Sequence, residues 1–156
     1  MGNSTRLSDT VHLLATVQIV REVALRKGED ARACLSSAAI AASIHTNPSY
    51  VRQLMMTASR AGLLVCERGR ANPVLGRPAR EISLLDIYRA VEKEKPLLRL
   101  DTHINPECNV GIGIQMSLGS SYDKVQKCAE ECMATITLQD VIDGFYSRMG
   151  RDSLPD

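Results

Sequence analysis

The chain has 156 residues, 44% of them apolar, and a formal net charge of +1. That apolar content excludes a disordered chain, and the length suits one domain with an accessory element. Aromatics make up 3%, with no Trp and a single Phe, so the core must come from Leu, Ile, Val, Ala and Met, mostly good helix formers.

The first predicted helix runs over 7–26, where Leu7, Val11, Leu14 and Val17 recur at spacings of three and four before Gly28. Its apolar run at 11–20 includes His12, Thr16 and Gln18 and is too short to span a membrane. No export leader is visible, so a cytoplasmic location is expected. The five cysteines (34, 66, 108, 128 and 132) are accordingly expected as thiols. A short second helix follows, with Ser36 as cap of SAAIAASI. Asn47 and Pro48 then open a third helix, as N-cap and pre-organised first residue, which runs to about Arg60 before Gly62. Two helices joined by about three residues make a helix-turn-helix. Next come a strand-like run, Leu63-Leu64-Val65-Cys66, a segment from Glu67 to Arg80 rich in Gly, Pro and Arg, and a return strand at Val74-Leu75. Strand, basic loop and strand after a helix-turn-helix form a wing.

Charge is concentrated in this part of the chain. Between His45 and Arg80 lie Arg52, Arg60, Arg68, Arg70, Arg77 and Arg80, no Lys, and one acid, Glu67, for a local charge of +5. The remainder therefore carries −4. An Arg-only basic segment in a near-neutral chain points to phosphate contact.

Ser83 and Asp86 make a capping-box-like start for a fourth helix, LLDIYRAVEKE. Residues 96–110 read as a loop, and a long helix is expected from near Gly113 to Ala134. Ile114, Leu118, Tyr122, Val125, Ala129, Cys132 and Ile136 form a narrow seam close to a coiled-coil period. About 22 residues reach roughly 33 Å, longer than a small domain needs for itself, so this seam predicts a homodimer contact. A short last helix begins at Thr137 and ends near Tyr146. The expected fold class is mainly α: a winged helix-turn-helix domain over 1–95 with a small two-stranded wing, a dimerisation extension over 96–148 comprising loop, long helix and last helix, and a frayed tail over 149–156.

Four stretches resemble the Rrf2 family of bacterial transcription regulators: IAASIHTNPSYVRQLM at 40–55, RAGLLVCERG at 60–69, GRPAREISLLDIYRAVE at 76–92 and INPECNVG at 104–111. The resemblance implies a winged helix-turn-helix fold, a dimer made through the long helix, and an inverted-repeat operator, usually repressed. It aligns Ser49, Tyr50, Arg52 and Gln53 with the recognition face and the wing with Glu67 to Arg80. Ala71-Asn72-Pro73 replaces the family's Gly-Gly pair, which implies a stiffer wing tip. Cluster-binding members carry three cysteines between the fourth and the long helix, whereas this chain offers only Cys108, with His103. A [2Fe–2S] centre would lack most of its ligands, so the chain looks like the branch without a cluster, and no cofactor is expected.

On the recognition helix, Arg52 suits guanine and Gln53 suits adenine, both near the end that reads base edges. Ser49 and Tyr50 are expected on phosphates, and Arg68, Arg70, Arg77 and Arg80 on the backbone or an adjacent minor groove. Cys66, Cys128 and Cys132 are expected as packing. Cys34, near Arg32, and Cys108, ahead of a helix N-terminus, are candidate redox thiols, with inert thiols as the alternative. No catalytic constellation is present: His12, His45 and His103 are scattered, and Gly111-Ile-Gly113 is a lone GxG. His103 and Cys108 are too few for zinc, so no metal is expected. The expected function is a homodimeric reader of double-stranded DNA, with a small-molecule effector of unknown kind. The alternative is a winged-helix interaction or sensor module without specific DNA contact, which the basic segment disfavours.

Overall fold

Helix α1 (Arg6–Lys27) is the axle of the protein, with Leu13, Leu14 and Val17 fully buried and Ala15, Ile19 and Ala24 nearly so. The computed structural model describes residues 5–150, and of the six α-helices within them four besides α1 contribute buried residues to this core. Thr10 is also fully buried, but its hydroxyl donates to the Arg6 carbonyl at 2.7 Å and so needs no outside partner. Gly28, at φ +69°, ends the helix in the left-handed region. A 3-10 turn (Ala31–Leu35) that the sequence pattern does not signal then drives Leu35 into the core.

Helix α2 (Ser37–Ser43) is capped by the Ser36 side chain, which accepts from the Ala39 N–H, and α3 (Pro48–Arg60) by Asn47, which accepts from the Tyr50 N–H. Ile40, Ala41, Val51, Leu54 and Ala58 face the core. The wing strands, β1 (Leu64–Val65) and β2 (Val74–Leu75), pair antiparallel with Leu64 opposite Leu75 and Val65 opposite Val74. Gly76 closes the wing base, donating its N–H to the Leu63 carbonyl at 3.0 Å. A Cβ there would press far inside contact distance of the Gly62 carbonyl oxygen, so only glycine fits.

Each strand is only two residues long, and this corrects the expectation for Cys66. Pairing stops at Val65, the chain leaves the sheet, and Cys66 is exposed rather than packed. Cys128 and Cys132 are exposed in the protomer as well.

A second 3-10 turn (Ala79–Glu81) leads to α4 (Leu84–Glu92), α5 (Asn109–Thr135) and α6 (Leu138–Met149). Both α4 and α6 begin with complete capping boxes, Ser83 with Asp86 and Thr137 with Asp140. The two starts are stitched together, since the Leu84 N–H donates to the Ile136 carbonyl at 2.7 Å and the Leu138 N–H to the Ile82 carbonyl at 2.8 Å. Ile136 is therefore extended and outside α5, not a member of its helical seam. Beyond this stitch, Leu138, Ile142 and Tyr146 of α6 enter the same core as α1. The Tyr146 hydroxyl donates to Glu22 at 2.9 Å and accepts from Arg26 at 3.0 Å. The last helix thus packs back on the first, although it follows the long helix in the chain.

Helix α5 begins at Asn109, four residues before the expected Gly113, because Cys108 serves as its N-cap. Its 27 residues span about 40 Å, and only Met133 is buried. The segment before it is a strap laid along the helix in the opposite direction. The Leu97 N–H donates to Gln126, the Asp101 carbonyl accepts from Gln115, and Ile104 lies against Gly111. Gln126 also donates to the Tyr88 hydroxyl at 3.1 Å, and Arg89 pairs with Glu130 at 3.0 Å, which ties α4 to α5.

Candidate nucleic-acid interface

The α2–α3 turn is held by the Thr46 N–H on the Ala41 carbonyl at 2.9 Å and by His45 in the left-handed region at φ +57°. With Val51, Leu54 and Ala58 buried, the 3.6-residue period turns Ser49, Arg52, Gln53, Met56 and Arg60 outward, and all five are exposed. Arg52 and Gln53 share the first half of α3, the part of a recognition helix that meets base edges. Arg52 also donates to Ser37 on α2 at 3.2 Å, which steadies it without neutralising its charge. Tyr50 is placed differently from its neighbours. Its ring packs against the core and its hydroxyl donates to Asp9 of α1 at 2.9 Å. Burial and the Asp9 carboxylate push its phenol above the ordinary tyrosine value. Here Tyr50 braces α3 against α1, and its hydroxyl is already committed.

The wing arginines divide by their partners. Arg68 is exposed at the tip and has no ion pair with the described residues. Arg70 reaches Glu67 across the tip turn at 3.3 Å and stays 72% exposed, so that contact is a weak surface pair. Arg80 lies 4.0 Å from Glu81, also on the surface. Arg77 pairs with Asp86 of α4 at 2.8 Å, and its buried Nε has no hydrogen-bond partner among the described residues. Burial would raise the Asp86 carboxyl, but the Ser83 N–H and hydroxyl and the Arg77 guanidinium outweigh it and hold Asp86 below the ordinary carboxylate range. Arg77 is therefore the wing's root, not part of its free face.

One fastening was not legible in the sequence. Arg21 of α1 donates to the Asn72 side chain at 2.6 Å and fixes the wing's return to the head. No local pattern links positions 51 apart. Arg60 joins the exposed face as well; its only prior signal was membership of the basic segment.

Cys34 is exposed on the first 3-10 turn, and Arg32 beside it makes a close two-oxygen contact with Asp30. That carboxylate offsets the cation the sequence set near the thiol. Cys108 is half-buried, its Sγ accepting the Gly111 N–H at 3.4 Å. All five cysteines are free thiols.

A buried helix pair presenting an arginine-bearing second helix, followed by a two-stranded basic wing, defines a winged helix-turn-helix protein. The chain belongs to the Rrf2 family, described as iron-dependent transcriptional regulators, whose model matches residues 6–144. It is 30% identical over 143 residues to YwnA of Bacillus subtilis (strain 168), a candidate HTH-type transcriptional regulator, covering 92% of this chain and 98% of that one. A crystal structure of a candidate DNA-binding protein is 30% identical with a TM-score of 0.65, over 88% of this chain and 98% of the other. The T. potens IscR structure, at 24% identity and TM-score 0.62 over 95% and 90% of the two chains, supports the fold alone. So does Staphylococcus aureus CymR, at 20% and 0.61 over 90% and 97%. The chain is thus a transcriptional regulator of a DNA-binding family, not an enzyme.

The family's iron is not matched by the donors in this chain. The strap holds one cysteine, Cys108, whose sulfur already caps α5, and His103 is the one histidine near it in sequence. Among the described residues no three His, Cys, Asp or Glu side chains gather to hold a metal. Nor is any helix among them long and apolar enough to cross a membrane.

Proposed function

We propose that the protein binds double-stranded DNA as a homodimer and represses transcription from an inverted-repeat operator. The observation that carries this is that Ser49, Arg52, Gln53 and Arg60 on α3 and Arg68 and Arg70 on the wing are all exposed, with the four arginines around one cleft. Arg52 and Gln53 are the base readers, Ser49 and the wing arginines the phosphate contacts. Arg80, exposed past the wing, extends the phosphate face, and Arg77 supports it from below.

The dimer is supported by α5. Val110, Ile114 and Val125 are each between 48% and 71% exposed and fall on one side of the helix, an unpartnered apolar face of the kind that a second copy covers. Leu118, Tyr122, Ala129 and Cys132 continue the seam at helical spacing. Two heads joined this way would address two half-sites about one helical turn apart.

Selection of bound fragments from randomised duplexes, with sedimentation of the free protein, tests the proposal. An enriched inverted repeat and a dimeric mass are expected. If roughly eight phosphates are neutralised per dimer, log affinity should fall against log salt with a slope near −7. A slope near −1 or −2, or no enrichment by a folded dimer, would leave an interaction module in its place.

Redox control belongs to the same proposal. Exposed Cys34 and Cys108 at the α5 N-cap are the thiols through which oxidation would alter the angle between the heads. Mild oxidation that abolishes DNA binding while mass spectrometry finds both thiols free would exclude that pair.

A further inference from the structure

Between the recognition helix and the wing lies a cleft of about 640 Å³, of the size that holds a small organic ligand. Its lining is of two kinds. Met55, Met56 and Cys66 give it apolar surface, with buried Leu35 behind them, and Met56 is 49% exposed. Arg52, Arg60, Arg68 and Arg70 give it positive charge, against one acid, Glu67, which is already drawn to Arg70. A phosphodiester backbone satisfies the arginines and leaves the thioether and thiol surface without an apolar partner. A ligand that satisfies both has an anionic head on an apolar body.

We propose that this cleft binds an amphipathic organic anion, a carboxylate, sulfonate or phosphate ester on an aromatic or aliphatic body, and that such a ligand competes with DNA for the same arginines. The competitive consequence rests on the proposed DNA contact; the binding site does not. Cys66 fits the apolar side of the pocket. Although exposed, it has enough protein around it that burial pushes its thiol above the ordinary value, so at neutral pH it lines the cleft uncharged. Competition here needs no relayed conformational change, since ligand and operator meet the same side chains.

The test uses the full chain and 8-anilinonaphthalene-1-sulfonate, whose fluorescence rises on entering an apolar site. Saturable binding of one dye per protomer is expected. Met56→Glu should weaken it by about tenfold or more, because a carboxylate there repels the sulfonate and draws off the arginines. Arg60→Glu should do the same without touching the apolar lining. Both positions are exposed, so an unchanged urea midpoint checks that the fold is intact. The selected duplex should displace the dye. Dye binding that neither variant weakens, absence of dye binding, or simultaneous binding of dye and duplex would each overturn the proposal. If the dye maps to Met56 and Arg60 while no duplex is bound, the ligand site stands and the DNA contact fails.

Discussion

Replacing Ile142 by Ala tests whether α6 is part of the head or an appendage of the long helix. Ile142 is 0% exposed, within the cluster that includes Leu13, Leu14 and Val17 of α1. The substitution removes three carbons from a site that water does not reach. At about 0.8 kcal/mol per buried carbon the transfer loss is about 2.4 kcal/mol. The cavity left behind raises the expected cost to about 3–4 kcal/mol, within the range for such core truncations. With a urea m-value of about 2 kcal/mol/M, the midpoint should fall by about 1.5–2 M. The assay is urea unfolding followed by helical circular dichroism, with all variants at one protein concentration because a dimer's stability depends on it. Val141→Ala is the control: the neighbouring side chain is 38% exposed and should cost about 0.5 kcal/mol or less. A loss below about 0.5 kcal/mol for Ile142→Ala, or an early transition that leaves the main one unmoved, would refute the assignment of α6 to the common core.

Four further outcomes follow from the same geometry. Arg68→Ala should weaken DNA binding and make the salt slope shallower by about 2 per dimer, whereas Arg77→Ala should chiefly lower the unfolding midpoint, because it strips Asp86 of its ion pair; filter binding across a salt series and urea unfolding separate the two. Gly76→Ala should abolish operator binding while leaving most helical signal in place, since the added methyl opens the wing base; unchanged affinity would contradict the close approach. Leu118→Glu should shift the sedimenting species toward the monomer, by placing a charge on the exposed α5 seam. Acid should destabilise through the capping carboxylates. Hydrogen bonds from the Thr137 N–H and hydroxyl hold Asp140 below the ordinary carboxylate value of 3.8, and Asp86 is held below it as well. Their contribution is complete above that value and lost as pH falls through the lower folded values, so Asp86→Asn with Asp140→Asn should flatten the acid limb of stability against pH.

The helices were legible because their signals are local. Asn47-Pro48, Ser83 with Asp86, and Thr137 with Asp140 specify chain direction within one turn, and each cap is present where the side chains predict it. The strap over 93–108 was not, since an extended segment without periodicity reads as loop. What orders it is Gln126, Gln115 and Gly111 on a helix that follows it in the chain.

The candidate site divides along the same line. Exposure of Arg52 and Gln53 follows from helical period once Val51 and Leu54 are buried, so sequence sufficed for them. The fates of Tyr50, Arg77 and Cys66 depend on which groups come near them. Asp9 is 41 positions from Tyr50, Asp86 sits across the wing root from Arg77, and Cys66 lies just past a strand that ends one residue earlier. By itself the sequence determined the helix-turn-helix, the basic wing and the long apolar-faced helix, because periodicity, caps and net charge act over a few residues. Only the tertiary structure decided which arginines are free and which are braces, that the last helix returns to the first, and that thioether and thiol surface meets arginine in one cleft, because pairing and burial depend on distances that separation along the chain does not set.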